Sequence, residues 1–351
     1  MKKNIFLSLM FVLFSCSFAF AETNGQSQAS SDVVRTTSQA LTTMVQGRVA
    51  TIAAPKPSGL KPGGTAPAKL QLDSNNVIDG NGNVNLSFNA EDLGLASGDE
   101  ANNFGVWAMG SYTYFASSAS GGKYDADTYN FLVGADYKIT PDFLFGVAGG
   151  YGVLDLDKKD WDNGADTGTL KTDYEWTVMP YLAYNITDTT IFDGAFAYTN
   201  SRYKDSDGTN TGKYDSDRYL TSLGVSQYFM MDDWTFSGRL GYMYVSGDLA
   251  SYSRGATDIA NPDSYLSQMS LEAKAAYLMM GWIEPYATLR YYYDLGVSTR
   301  PVKSDYDEFE SILGLTMYAT DQWILGFEGG ATVGRADYES YRGQATIRFE
   351  F

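Results

Sequence analysis

From Phe104 to Phe351 apolar and polar residues alternate one for one, the period of a strand with one greasy and one wet face. In the last segment Ala345, Ile347, Phe349 and Phe351 share one parity, and Gln344, Thr346, Arg348 and Glu350 the other. Further back, Phe236, Leu240, Tyr242 and Tyr244 stand against Thr235, Ser237, Arg239 and Gly241. Likewise Pro285, Ala287, Leu289 and Tyr291 stand against Glu284, Tyr286, Thr288 and Arg290. The pattern predicts twelve strands: 104–116, 124–138, 143–156, 172–186, 190–203, 214–230, 234–248, 265–280, 282–297, 305–319, 322–336 and 340–351. All exceed the roughly ten residues that cross a bilayer at a tilt.

The connections alternate in length. Short ones hold Thr140-Pro141-Asp142, Thr187-Asp188, Asp232-Asp233, Met280-Gly281 and Thr320-Asp321. Long ones cover 117–123, 157–171, 204–213, 249–264 and 298–304, with a shorter sixth near Asp337. Short turns on one side and long loops on the other mark outer-membrane barrels; a soluble sandwich requires no such rhythm and uses shorter strands. The predicted fold is all-β, a twelve-stranded antiparallel transmembrane β-barrel over 104–351. An even strand number puts both barrel ends in the periplasm. Loop residues such as Trp161 and Asn261 then fall outside the cell, and turn residues such as Asp188 and Asp233 inside.

Before Phe104 the period changes. Val33, Val34, Leu41, Met44, Val45, Val49 and Ile52 recur at helical spacing. They predict a helix over 33–52, capped by Ser31 or Asp32 after a Ser/Gln/Asn-rich stretch at 22–31. Such a helix is ~30 Å long, about the thickness of a bilayer core, yet Arg35, Gln39, Gln46 and Arg48 rule it out as a membrane span. Pro55, Pro57, Gly59, Pro62, Gly63 and Gly64 end it, closing a first segment at 22–66. A polar connection follows over 67–103, with Asp79-Gly80 and Asn81-Gly82 turn signals and a short hairpin around Val77 and Val84.

Residues 1–21 pair a basic start, Lys2-Lys3, with an apolar run from Ile5 to Phe14 and the small-x-small triplet Ala19-Phe20-Ala21. That is a signal peptide cut between Ala21 and Glu22. Leu13-Phe14-Ser15-Cys16 is a rival lipoprotein box, but Phe14 is bulky for that motif and the triplet is better formed.

Composition agrees. Aromatics reach 15%, with 27 Tyr and 19 Phe, and there are 36 Gly but no long apolar run; a membrane barrel needs aromatics at two interfaces and lipid-facing residues only at alternate positions. The net charge of −17 sets the chain against a phosphate backbone, so no nucleic acid is expected as a partner. Cys16 is the one cysteine, which leaves the exported part without a disulfide or thiolate chemistry.

No catalytic constellation is visible. With no His, every Ser-His-acid triad is excluded; composition leaves a Ser–Lys or all-carboxylate site open, but no motif points to one. The chain is read as not an enzyme, without cofactor or metal. Asp155, Asp157, Asp160, Asp162 and Asp166, and again Asp205, Asp207, Asp215 and Asp217, have calcium-like spacing but lack the distal Glu of an EF-hand. Asp-rich loops are turn chemistry first. By parity Asp136, Lys138, Glu175, Asp193, Arg239, Glu272, Lys274, Glu284, Arg290, Glu328 and Arg348 face the lumen.

Taken in order, several segments resemble the C-terminal translocator barrel of the autotransporter (type V secretion) family. Gly105-Val106-Trp107-Ala108-Met109-Gly110-Ser111-Tyr112 is similar to its opening strand. Gly134-Ala135-Asp136-Tyr137 and Gly146-Val147-Ala148 are similar to the second and third. Pro180-Tyr181-Leu182-Ala183-Tyr184 and Glu284-Pro285-Tyr286 resemble inner-strand motifs. The ending with Ala345, Ile347, Phe349 and Phe351 resembles the signal read by the barrel-assembly machinery. The resemblance implies a helix threaded through the lumen; there Arg35 and Arg48 pair with inward-facing acids, Arg48 with ones such as Glu284 or Glu328, the alternative being a helix solvated in the periplasm. It also implies export of an N-terminal passenger, of which only about ten residues would remain between the cleavage point and the helix. The expected partners are outer-membrane lipid and lipopolysaccharide and the Sec and barrel-assembly machineries, for a monomer in the Gram-negative outer membrane. Three functions stay open: a translocator of its own short N-terminal segment or surface-exposed barrel, a porin-like small-solute channel, and an adhesin acting through its extracellular loops.

Overall fold

The computed structural model describes residues 25–53, 103–119, 122–161, 168–259, 263–298, 306–320 and 322–350. The expected signal peptide with Ala21 and Glu22, the Pro/Gly linker, the hairpin expected around Val77 and Val84, Asn261 and Phe351 lie outside the described residues.

Helix α1 spans Gly25–Ala53. It is followed by strands β1 (Phe104–Ser117), β2 (Gly122–Thr140), β3 (Phe143–Trp161), β4 (Thr169–Thr187), β5 (Thr190–Ser206), β6 (Thr211–Met231) and β7 (Trp234–Leu249). Then come β8 (Tyr252–Arg254), β9 (Thr257–Ile259), β10 (Ser264–Tyr277), β11 (Ile283–Val297), β12 (Asp307–Tyr318), β13 (Trp323–Val333) and β14 (Tyr338–Glu350). Twelve of these form one closed barrel in the order β1-β14-β13-β12-β11-β10-β7-β6-β5-β4-β3-β2, and β8–β9 make a separate two-stranded ribbon. Closure is by β1 against β14, in antiparallel register from Gly105↔Glu350 to Ser117↔Tyr338. All twelve strands expected from alternation are present.

The alternation fixes which face is which. Along β1 every second residue from Gly105 to Ser117 is buried, and the intervening ones look outward. The outer face carries two aromatic rows. One holds Tyr112, Tyr129, Tyr151, Trp176 and Tyr219; the other Tyr137, Phe145, Tyr184, Phe229, Trp234 and Phe236. On β2 the rows are eight residues apart, Tyr129 to Tyr137, or ~26 Å along the strand at ~3.3 Å per residue. Between them stand exposed Phe131, Val133, Val147 and Val178. This is the apolar band with aromatic girdles that a bilayer requires.

Strands β2 to β6 run longer than the alternation alone predicts, and β10 to β13 run shorter. β3 continues to Trp161 and β4 begins at Thr169, where charge clusters read as loop. Those charges are the outer face of paired strands: Lys171 bridges Asp155 at 2.9 Å, Arg202 bridges Asp215 at 2.6 Å and Lys213 bridges Asp173 at 2.7 Å. Cross-strand opposite charges support a ladder in water as aromatic pairs do in lipid.

The helix also begins earlier than expected, at Gly25, so neither Ser31 nor Asp32 is its cap. Both lie inside it and are buried. The polar run 25–32 carries no apolar stripe, which hides it from a periodicity reading. The polar wall around α1 supplies partners that an ordinary core lacks.

Candidate functional site

The site is the lumen, and its content is α1. The helix bonds to the barrel from all around its circumference. Tyr124 of β2 donates to Asp32 at 2.7 Å. Arg218 of β6 donates to Thr37 at 2.6 Å. Thr42 reaches Met243 of β7, and Gln39 donates to Gln268 of β10 and Glu308 of β12. Arg290 of β11 donates to Thr43, and Thr36 shares a hydrogen bond with Tyr338 of β14. A rod touching seven strands of a closed ring lies inside it.

Ion pairs pin it at both ends. At the end where strands join through long loops, Arg35 bridges Asp32 and Asp294, each at 2.7 Å. Asp294 also receives Arg335 at 3.0 Å, and Arg335 reaches on to Glu308. At the short-turn end Arg48 forks onto Asp136, with Nε and Nη2 at 2.6 and 2.5 Å from its two oxygens. Tyr181 donates to the same carboxylate at 2.6 Å, and Trp107 donates to the Tyr181 hydroxyl. Two glycines make room for this cluster. A methyl at Gly146 would overlap the Tyr181 ring, and one at Gly105 would press on the Arg48 guanidinium.

These pairings correct the expected partners. Arg48 meets Asp136 and not Glu284 or Glu328. Glu328 accepts from Tyr286 at 2.8 Å and from Arg342 at 3.2 Å. Glu284 is buried beside Tyr318 and Lys274. Of the expected inward charges, Asp193 pairs with Arg239 at 2.8 Å. Arg290 bridges Glu272 and, at 3.0 Å, Glu310. Glu175 bridges Arg218 at 3.2 Å. Lys138 lies half-buried near the short-turn rim, Lys274 sits over the Tyr286 ring, and Arg348 pairs with Glu350.

Asp294, Glu308 and Arg335 were missed. Asp294 shares the parity of Glu284 and Arg290, so the alternation could have found it. Arg335 sits in the connection after β13 and reaches back into the barrel, which no period reports.

Apolar side chains pack together at the long-loop end of the bore. Ala29 and Val33 of α1 join Phe115, Tyr124, Leu154, Leu156, Leu170, Tyr203, Tyr214 and Leu249 in one cluster. The β8–β9 ribbon folds over it: Tyr252 stacks on Tyr214 at 4.9 Å between ring centres, and Arg254 bridges Asp205 at 2.8 Å. Lys158, wholly buried, holds the other oxygen of Asp205 at 2.6 Å. The described acids of the two calcium-like runs are therefore largely engaged by bases and turns. No group of three or more His, Cys, Asp or Glu suited to a metal occurs among the described residues.

The arrangement is a barrel with its bore occupied and bolted at two levels. The autotransporter β-domain family model matches residues 106–311, more than half of the chain. Among solved structures, the barrel is similar to the translocator domain of the autotransporter NalP from Neisseria meningitidis. That match has 14% identity and a TM-score of 0.60, over 75% of this chain and 92% of that one. It is also similar to the beta domain of the Bordetella autotransporter BrkA, at 15% identity and a TM-score of 0.56 over 71% and 100% of the two chains. The transport unit of AIDA-I from Escherichia coli matches at 12% identity and a TM-score of 0.52 over 75% and 97%. At such identities the likeness is one of fold. No curated relative matches in sequence.

Proposed function

We propose that this chain, which belongs to the autotransporter β-domain family, is an outer-membrane translocator barrel held in its closed form, with α1 retained in the lumen as the plug. The observation that carries this reading is the double anchoring of the helix, Arg35 on Asp294 at one level and Arg48 on Asp136 at the other. Short turns face the periplasm in barrels of this kind. On that orientation α1 runs from the outer mouth at Gly25 to the periplasmic mouth at Ala53. Its N-terminal end then points out of the cell, which is where a segment carried through the bore belongs. The role is that of a conduit, not of an enzyme.

In this reading the chain enters the periplasm through its signal peptide, with cleavage between Ala21 and Glu22. The barrel-assembly machinery inserts it into a Gram-negative outer membrane, and it works as a monomer against lipid and lipopolysaccharide.

The solute-channel reading needs an empty bore. Emptying it would strand several buried charges at once, and removing one partner of a buried pair costs about 3–5 kcal/mol. Single-channel recording decides between the two. The full-length exported chain is expected to conduct little, and a form lacking residues 25–53 to conduct steadily while still assembling. Equal conductance of the two forms refutes the plug.

A further inference from the structure

The helix does not fill the periplasmic half of the lumen. Between α1 and the β5–β7 and β10–β14 wall it leaves a cavity of about 170 Å³, lined in part by Arg48, Arg348, Gln344 and Thr346. At ~30 Å³ per water this is room for about five waters, or for one tetrahedral oxyanion with its remaining hydration.

Among the described residues lining the cavity, Arg48, Arg239 and Arg348 carry guanidinium nitrogens without an acceptor, beside one unpartnered amide oxygen, that of Gln344. Arg48 uses Nε and Nη2 on Asp136, and its Nη1 is buried without a partner. Arg348 uses Nη2 on Glu350, and its Nε and Nη1 are both buried without partners. The two side chains are 1% and 4% exposed. Each is close enough to feel the other's charge. Of the acids that also line the space, Asp193 is committed to Arg239, Glu272 to Arg290 and Glu328 to Arg342, while Glu284 lies beside Lys274 and Tyr318. A buried guanidinium N–H without an acceptor costs more than an ordinary polar group, and its planar fork matches the oxygens of phosphate and carboxylate.

We propose that Arg48 of α1 and Arg348 of β14 form an oxyanion site in the periplasmic half of the lumen, for a small phosphate or carboxylate drawn from the periplasm. The inference rests on α1 remaining seated, because the helix supplies Arg48. Bound anion would tie helix to barrel wall by a bridge that neither arginine makes alone, so occupancy would strengthen the plug from the periplasmic side.

The test uses the full exported chain in detergent micelles, with inorganic phosphate replacing chloride at constant ionic strength. Binding is read by the ³¹P linewidth and by the temperature at which the barrel unfolds. A parallel titration with acetate separates phosphate from carboxylate preference. The expected result is saturable line broadening and a rise of unfolding temperature, both weakened at least tenfold in Arg348→Gln. Arg348→Lys keeps the charge but loses the fork, and should also bind at least tenfold more weakly. Absence of saturable binding of either ion to the wild type overturns the proposal, meaning the cavity holds water only. Unchanged binding in Arg348→Gln or Arg348→Lys overturns it equally. Should neither variant assemble, the wild-type ³¹P titration with and without residues 25–53 decides: equal binding by both forms refutes a site that needs Arg48. The conductance comparison tests the plug separately, so a seated helix with no anion binding defeats this inference alone.

Discussion

Arg35 and Asp294 stand 259 positions apart in sequence, and their charged atoms lie 2.7 Å apart with both side chains 2% exposed. The carboxylate is shared, since Arg335 and Gln268 also donate to it. It therefore joins the helix, β10, β11 and the connection after β13 in one knot, and its loss leaves two guanidiniums facing each other in the same space.

Replacement of Asp294 by Ala should destabilise the plugged barrel by about 3–5 kcal/mol, the usual effect of breaking a buried pair from one side. The double variant Arg35→Ala/Asp294→Ala should be less damaged than the sum of the singles, because one of the two stranded guanidiniums is gone with the carboxylate, leaving Arg335 to Glu308. Urea denaturation in micelles followed by tryptophan fluorescence measures both. Strict additivity would show that the pair is not coupled.

At the periplasmic level the Tyr181 hydroxyl accepts from Trp107 and donates to Asp136. Tyr181→Phe removes that link while keeping the ring, and should cost about 1–3 kcal/mol for the polar groups left buried. Gly146→Val attacks the same ring from the other side by filling the space it occupies, at about 1–3 kcal/mol for overpacking. Both should raise the frequency of brief channel openings. Normal stability in Gly146→Val would mean that the ring has somewhere else to go.

The sidedness is open to labelling. Cys16 is the chain's one cysteine, and on the proposed cleavage between Ala21 and Glu22 the exported chain carries none. Cysteines placed at Asp188 or Asp233, in the short turns, should resist an impermeant thiol reagent on intact cells. Those placed at the exposed Lys171 or Asp215 should react. The reverse pattern would turn the barrel upside down and end the proposed direction of α1.

Asp207 offers a local pH test outside the membrane. The backbone N–H groups of Asn210 and Thr209 donate to its carboxylate at 2.7 and 2.9 Å and hold its pKa down to about 2. A depressed native pKa gives stability that is fully present above the unfolded value of ~3.9 and fades as pH falls through the native one. The turn at 207–210 should therefore keep its amide shifts at pH 3 and lose them near pH 2, as NMR of the labelled protein in micelles would show. Loss already at pH 4 would mean that these bonds do not form in solution.

How much of this was legible depends on how local each signal is. Alternation is a property of neighbours, so the twelve strands, their faces and the inward set containing Asp136, Glu284 and Arg348 could be read directly. Pairing across the bore is not local. Arg48 finds Asp136 and not Glu328 because of height along the barrel axis, which depends on stagger between strands, and parity carries no information about stagger. The first turns of α1 were invisible for a different reason: a helix surrounded by Tyr124, Arg218 and Glu308 needs no apolar stripe. The ribbon at Tyr252–Ile259 escaped because three-residue strands are too short to show a period, although Gly255, at φ 63°, marks its tight turn.

The pairing of β1 with β14 makes the barrel a closed hoop, while the covalent chain joins α1 to it at one mouth only, through the residues from Ala53 to Asn103. A rod tied at one end inside a hoop is not knotted. It can be drawn back the way it came, but only if everything ahead of Gly25 follows it through the bore. The size of whatever is attached there thus sets whether the closure is reversible. An extended peptide leaves the bolt free to slide, and a folded group on the outer side turns it into a toggle that no force short of unfolding can pull back.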